Sequence, residues 1–333
     1  MEGESVMSDT IKIGLIGCGG LGRAQAKIAA AEPGVEFAAV SDVNLQSAQE
    51  VASEHGVPVA LDDHRKLLEL DLDGVLVVTP TFTHKDICLD AAQAGVHIFC
   101  EKPMATSVAD CEAMIEAAKA AKVQLMIGFV MRFYPAYVEM KRRIDAGDIG
   151  DVRLTWAVRM GGRPPVGIGE WRREASKVGG LYSAAIHQMD LLLWMGGPVQ
   201  MVEGLCNWGS FPDTDTEDSI IISWRHENGA IGSLHSSQLY PVGGSAYGVG
   251  GSKGAMKIEG NTLHIADHAG HSEAVECPTA EPPLTLELRH FFDCVRTGEP
   301  NRIPGEAGRD AQAVFEAAYT SSERNAPVSL PLG

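Results

Sequence analysis

Apolar residues follow one rhythm over the first 130 positions and a different one after that. Runs that are apolar almost throughout occupy residues 11–16, 35–42, 57–61, 74–80, 96–100 and 124–130, and they predict strands covered on both faces. Segments of helical period lie between them, at residues 24–31, 45–55, 62–70, 83–94 and 107–122. Pro33-Gly34 stops the first of these helices, and Val108, Cys111, Ile115 and Ala118 make an apolar stripe on the last. Strand and helix in alternation predict a parallel sheet with helices on both sides.

The rhythm changes near residue 131. Residues 135–146 read as a charged amphipathic helix, 151–160 alternate as a strand, and 161–180 are rich in Gly, Pro and Arg. Segments of period two follow at 199–207, 219–225, 230–238 and 257–265, with Asn228-Gly229 as a turn signal between two of them. This pattern predicts an antiparallel sheet without crossover helices. Helices at 284–297 and 306–324 close the chain.

The first strand ends in Gly17, Gly19 and Gly22, and this spacing after an apolar strand and before a helix is a dinucleotide-binding fingerprint. Gly17 permits a tight turn, Gly19 lets the backbone approach a pyrophosphate, and Gly22 lets the helix pack closely. Gly20 and Leu21 complete the turn, whose first helical amides face the phosphates. The second strand ends in Asp42, twenty residues beyond Gly22, where a carboxylate accepts from the adenosine ribose and repels a 2′-phosphate. No Arg or Lys follows until Arg65, so NAD is favoured over NADP. The predicted fold class is α/β, with a Rossmann domain at residues 10–131, an α+β domain with an open, mainly antiparallel sheet at 132–333, and a flexible tail at 1–9. The active site is expected in the cleft between the two.

Composition restricts the partners. With 45% hydrophobic and 21% charged residues the 333-residue chain can fill a sizeable core, and no run of about eighteen apolar residues spans a membrane. The formal charge of −17 argues against nucleic acid and against an anionic membrane surface. Seven cysteines without Cys-x-x-Cys spacing read as reduced thiols of a cytoplasmic protein, and Cys18 as a small residue tolerated in the turn. Eleven histidines without ligand spacing predict no metal site.

Ligands of open α/β sheets lie beyond the carboxyl ends of the strands, which directs attention to Thr79, Pro80, Thr81 and His84, and to Glu101, Lys102 and Pro103. Lys102 is suited to polarise or protonate a substrate oxygen. Residues 179–194 predict a helix entered through two glycines, with Ser183, His187 and Asp190 on one face. There His187 can exchange a proton with a hydroxyl while Asp190 orients its ring. Arg159, Arg163, Trp171, Arg172 and Arg173 are substrate-side candidates, with Trp171 a flat surface for a sugar ring, and Arg132 is expected to tie the two domains together.

Taken together these residues resemble the family of glucose-fructose oxidoreductase, inositol 2-dehydrogenase and the MocA proteins of rhizopine catabolism. The resemblance runs through the glycine turn, TPTFTH at 79–84, EKP at 101–103, GFVMRFYP at 128–135, DIGDV at 148–152, the glycines, histidine and aspartate of 179–190, and GEAGRDA at 305–311. It implies hydride transfer between a nicotinamide and a CH–OH carbon of a sugar, sugar derivative or inositol. It makes Lys102 the residue that steers the reacting oxygen and His187 the general base. Cofactor contacts implied are Gly17, Gly19, Gly20, Leu21, Gly22, Asp42, Thr79, Pro80, Thr81, His84, Glu101 and Lys102. Substrate contacts implied are Lys102, Arg159, Trp171, Arg172, Ser183 and His187. A homodimer or homotetramer through the C-terminal sheet is expected.

One departure stands out. Where many members carry Asp-x-Gly-x-His, this chain has Ser183 and Ala185 before His187, so the Asp-His relay does not carry over. Two rivals therefore stay open: an NAD-recycling sugar lyase or hydrolase, and a non-catalytic dinucleotide-dependent regulator.

Overall fold

The computed structural model describes residues 10–162, 169–180 and 182–332, with the side chains of Tyr182 and Ser183 outside the description. The chain forms two compact units. Residues 1–105, 109–128 and 284–306 make the first, and 106–108, 129–283 and 307–333 make the second.

The first unit is built on a parallel sheet of β1 (Ile11–Ile16), β2 (Val35–Ser41), β3 (Val59–Leu61), β4 (Gly74–Val77), β5 (His97–Glu101) and β6 (Leu125–Gly128), in the order β3-β2-β1-β4-β5-β6. Chain order reverses between β1 and β4, which places the switch point at their carboxyl ends. The connecting helices are α1 (Gly20–Ala31), α2 (Leu45–His55), α3 (His64–Leu68), α4 (His84–Gln93) and α5 (Val108–Ala121). β4 and β6 are buried along their whole length, as their unbroken apolar runs predict.

The helix Pro283–Thr297 follows the second sheet in sequence, yet from Leu284 on it belongs to the first unit. Phe291 packs on Phe99 at 5.8 Å between ring centroids, and Arg289 bonds Glu32 at 2.7 Å. Gly74 leaves room for the Phe291 ring beside β4.

The second unit contains α6 (Pro135–Asp145), β7 (Val152–Met160), α7 (Ala175–Val178), α8 (Tyr182–Gly196), β8 (Val199–Asn207), β9 (Ser219–His226), β10 (Ile231–Ser237), β11 (Gly244–Gly251), β12 (Gly254–Glu259), β13 (Thr262–Asp267) and β14 (Ser272–Glu276). After α9 (Pro283–Thr297) come α10 (Gly305–Arg324) and β15 (Val328–Ser329). The sheet order is β14-β13-β12-β11-β7-β10-β9-β8-β15. α8 packs on β7 and β10, and Gly204 of β8 lets the α10 backbone at Ala318 approach.

The structure corrects the sequence pattern in three places. Residues 257–265 are not one strand: the hairpin of β12 and β13 turns at Gly260, whose φ is 58°, and apolar alternation running through the turn conceals it. β11 goes unpredicted because four of its eight residues are glycine. Gly248 is required there, since the Trp156 indole lies against its Cα. Finally, β7 and β10 run parallel, so α8 belongs to a crossover and the sheet is mixed.

Under α8 the fully buried His226 ties three elements together. Its Nε2 accepts from Trp224 Nε1 at 2.8 Å and lies 3.1 Å from Thr155 Oγ1, while Nδ1–H donates to the Gly197 carbonyl at 2.8 Å. Burial pushes its pKa below the ordinary value, against the upward pull of the Gly197 and Pro198 carbonyls. The unfolded chain binds the proton at about pH 6.5 and the native ring does so only at lower pH. Stability from this neutral ring is therefore complete above about pH 6.5 and falls as pH drops below it. Melting temperature is expected to decline from about pH 7 to about pH 5, and less steeply in His226→Gln, which keeps an acceptor for Trp224.

Candidate functional site

In the first unit the chain turns sharply after β1. Gly17 has φ 103°, and a Cβ there would stand 2.7 Å from the Val78 carbonyl oxygen. Its N–H donates to Ser41 at the end of β2. The helix begins earlier than its apolar pattern suggests, at Gly20 and not at residue 24. The amides of Gly20, Leu21 and Gly22 therefore form the first turn and lack intrahelical acceptors. An added Cβ at Gly22 would overlap the Gly17 carbonyl oxygen, so this glycine seats the helix on the turn itself. At Gly19 and Gly20 a Cβ would meet nothing within 4 Å. Packing of the protein does not demand glycine at these two, whereas close approach of a phosphate to the backbone does.

Asp42 braces the turn. Its Oδ2 accepts from the Cys18 N–H at 2.7 Å and its Oδ1 from the Asn44 N–H at 2.8 Å, which leaves lone pairs on both oxygens for ribose hydroxyls. Asn44, not Asp42, caps α2, through the Gln46 N–H. Cys18 is buried, and burial together with the Asp42 charge pushes its thiol up to about 12, so it is no nucleophile. The helix N-terminus, the open glycines and the carboxylate at the end of β2 fit a dinucleotide without a 2′-phosphate.

Two further loops converge at the same end of this sheet. After β4, the Thr83 hydroxyl lies 2.7 Å from both Thr79 Oγ1 and the Pro80 carbonyl, and Thr81 is buried. After β5, the buried Glu101 accepts from Gln25 Nε2 of α1 at 2.7 Å and from the Lys102 N–H at 3.1 Å. Gly128 leaves space for this carboxyl. Burial pushes the Glu101 pKa up to about 7, against the lowering effect of Lys102 and Gln25. The hydrogen bond from Gln25 joins the helix of the glycine turn to the loop that carries Lys102. Sequence reasoning missed Gln25, although a glutamine among the small residues of a buried helical stripe is a signal.

His84 was expected beside the cofactor. The structure places it 1% exposed between the two loops, with Nδ1 2.9 Å from the Pro103 carbonyl and Nε2 2.8 Å from the Thr79 carbonyl. Neutral imidazole donates to one of these carbonyls and imidazolium to both. Burial opposes the charge and lowers the pKa, while the carbonyls of Thr79, Pro103 and Met104 raise it.

In the second unit, α8 carries His187, whose ring stands edge-on to Phe129 at 6.1 Å between centroids. Asp190 does not orient that ring. It is 1% exposed and grips Arg132 in two hydrogen bonds, Nε to Oδ2 at 2.9 Å and Nη2 to Oδ1 at 2.6 Å. The bond from Arg132 to Asp190 is internal to the second unit, where the guanidinium also lies over the Trp194 ring at 5.2 Å. Arg172 stacks on one face of Trp171 at 4.9 Å, and Arg173 pairs with Asp213 at 3.0 Å. Arg159 lies half-buried on β7. Arg163 and the Ser183 side chain fall outside the described residues.

The family description "Oxidoreductase family, NAD-binding Rossmann fold" of GFO_IDH_MocA matches residues 11–129, and the GFO/IDH/MocA C-terminal domain matches 137–257. The chain belongs to this oxidoreductase family, and its nicotinamide cofactor is NAD. It is 31% identical to the scyllo-inositol 2-dehydrogenase (NAD(+)) of Bacillus subtilis strain 168, over 97% of each chain. It is 29% identical to the myo-inositol 2-dehydrogenase of Thermotoga maritima, over 96% of this chain and 98% of that one. Its fold is that of a levoglucosan dehydrogenase solved with NADH, with a TM-score of 0.90 at 22% identity, over 97% of this chain and 100% of the other.

Proposed function

We propose that this protein oxidises a CH–OH carbon of a sugar, sugar derivative or inositol, with Lys102 and His187 handling the alcohol proton and oxygen. The observation that carries the reading is the Gln25–Glu101 bond, which makes the Lys102 loop one packed piece with the helix of the glycine turn. NAD+, when bound, supplies a hydride acceptor. Lys102 donates to the reacting oxygen and holds it in place. His187 takes the hydroxyl proton, a role open to a neutral imidazole on a helix face. The inositol dehydrogenases among the relatives support the substrate class.

On the second sheet, Leu154, Leu205, Ile221 and Ile231 lie exposed on the face opposite α8, and this apolar surface supports assembly into a dimer or tetramer through the sheet. The seven cysteines, none of them in a disulfide, suit a reducing cytoplasm.

A panel of inositols and neutral sugars, each offered with NAD+ and with NADP+, tests the proposal through the absorbance of reduced nicotinamide. Accumulation of NADH in step with ketone, with NAD+ preferred, is expected. Turnover without NADH release would favour cofactor recycling, and NAD+ binding without turnover would favour the regulator.

A further inference from the structure

Gln25 is the polar exception on the buried side of α1. The other buried residues of that helix are Gly22, Ala26 and Ala29, and Gln25 itself is 0% exposed. Its Nε2 donates to Glu101 Oε1 at 2.7 Å, while its own Oε1 is buried with no hydrogen-bond partner among the described residues. A buried carbonyl without a donor is destabilising, and an apolar side chain of similar length would avoid that cost. Glutamine at this position is therefore explained by what its amide does for Glu101, and not by the packing of α1.

Glu101, 6% exposed at the end of β5, is enclosed by donors. Oε1 takes the Gln25 amide and Oε2 the Lys102 N–H at 3.1 Å, and a Cβ on Gly128 would stand 3.1 Å from the carboxyl carbon. A carboxylate accepts from both partners. A proton added to either oxygen occupies a lone pair, weakens that oxygen as an acceptor, and calls for an acceptor of its own inside the core. Burial works in the opposite direction and brings the carboxyl up to about 7, so its two forms are balanced near neutral pH. The charge acting on it is that of Lys102. Of the groups packed around it, Gln25 of α1 and Gly128 of β6 do not titrate. Burial pushes up the adjoining Cys100 thiol, against which Cys88 of α4 lies, and lowers the pKa of His84 of α4 at the Pro103 carbonyl.

We propose that Gln25 is a positioning residue for Lys102: its amide keeps Glu101 ionised, and the carboxylate fixes the Lys102 backbone and offsets the charge of its ammonium. The task of Lys102 itself rests on the dehydrogenase reading above. Without the Gln25 donor the neutral acid gives up no bond at Oε1, so Glu101 takes a proton at higher pH than in the wild type. The Lys102 N–H then loses a charge-assisted acceptor and the ammonium its neighbouring charge. Raising the pH restores the carboxylate, and with it the support of Lys102.

Two measurements on the purified full chain, wild type and Gln25→Met, test it. In carboxyl NMR of protein labelled with 13C-glutamate, with the Glu101 signal identified by its loss in Glu101→Gln, that carboxyl is expected to titrate about one pH unit higher in Gln25→Met. In the pH profile of kcat/KM for polyol oxidation, the acid limb of Gln25→Met is expected to move up by about the same amount. Activity then falls about tenfold near pH 6.5 and returns to the wild-type value by about pH 9. Glu101→Gln, which has no charge to regain, is expected to be slow at every pH. Melting curves show whether Gln25→Met folds, and Gln25→Leu takes its place if it does not. An unmoved Glu101 titration, or a loss of activity by the same factor at every pH, would overturn the proposal and leave Gln25 a packing residue. Absence of turnover by the wild type on every polyol would overturn the dehydrogenase reading, while the NMR titration would still decide whether Gln25 sets the charge of Glu101.

Discussion

Lys102→Ala is expected to lower turnover by about a thousandfold or more, and His187→Asn by about a hundredfold to ten-thousandfold. The two losses have separate causes. Lys102 is presented by a loop that Gln25 grips through Glu101 and that His84 contacts at Pro103, so removing the amine leaves these supports in place and takes away only the proposed donor to the oxygen. His187 stands on a helix whose Asp190 is already committed to Arg132, and the family aspartate is serine at position 183. In the proposed reaction the imidazole itself takes the proton, and asparagine, similar in size, has no base to offer. Titration of NAD+ binding should be unchanged by His187→Asn. Single-turnover measurements of both variants provide the check. Full turnover in His187→Asn beside an inactive Lys102→Ala would show that the base lies elsewhere.

Arg132→Met should destabilise the fold by about 3–5 kcal/mol, because it strands a carboxylate with no water to receive it. Burial already raises the Asp190 pKa, and the Arg132 charge and hydrogen bonds pull it down. Without the guanidinium the aspartate must fold protonated or bear an unpaired charge. The loss should therefore shrink when Asp190→Leu is added, since an apolar pair of similar volume carries no such penalty. Urea unfolding of the two variants and the wild type measures both effects. A loss below about 1 kcal/mol in Arg132→Met would mean that water reaches Asp190 despite its burial.

The parts legible in the sequence share one property: each is a demand made by a few neighbouring residues. Gly17 needs a positive φ whatever lies around it, alternating segments expose their strand faces, and Glu101-Lys102-Pro103 follows a strand that announces itself by four apolar positions among residues 96–100. The resemblance added roles to these residues because the motifs occur in order along nearly the whole chain. β11 escaped because its glycines exist to accommodate Trp156, a residue far away in the chain. Asp190 was misread for the same kind of reason: helical spacing puts it near His187, and only packing shows that Arg132 takes both its oxygens.

By itself, then, the sequence determined the dinucleotide turn, the carboxylate that favours NAD, the lysine and histidine proposed for the chemistry, and the division into a parallel and a mainly antiparallel sheet. Tertiary structure decided which polar groups are satisfied and by which partners. Arg132 and Asp190 are unremarkable in their own segments. They become a pair only through the packing that buries Asp190 against the guanidinium, because burial is set by contacts between residues distant in sequence.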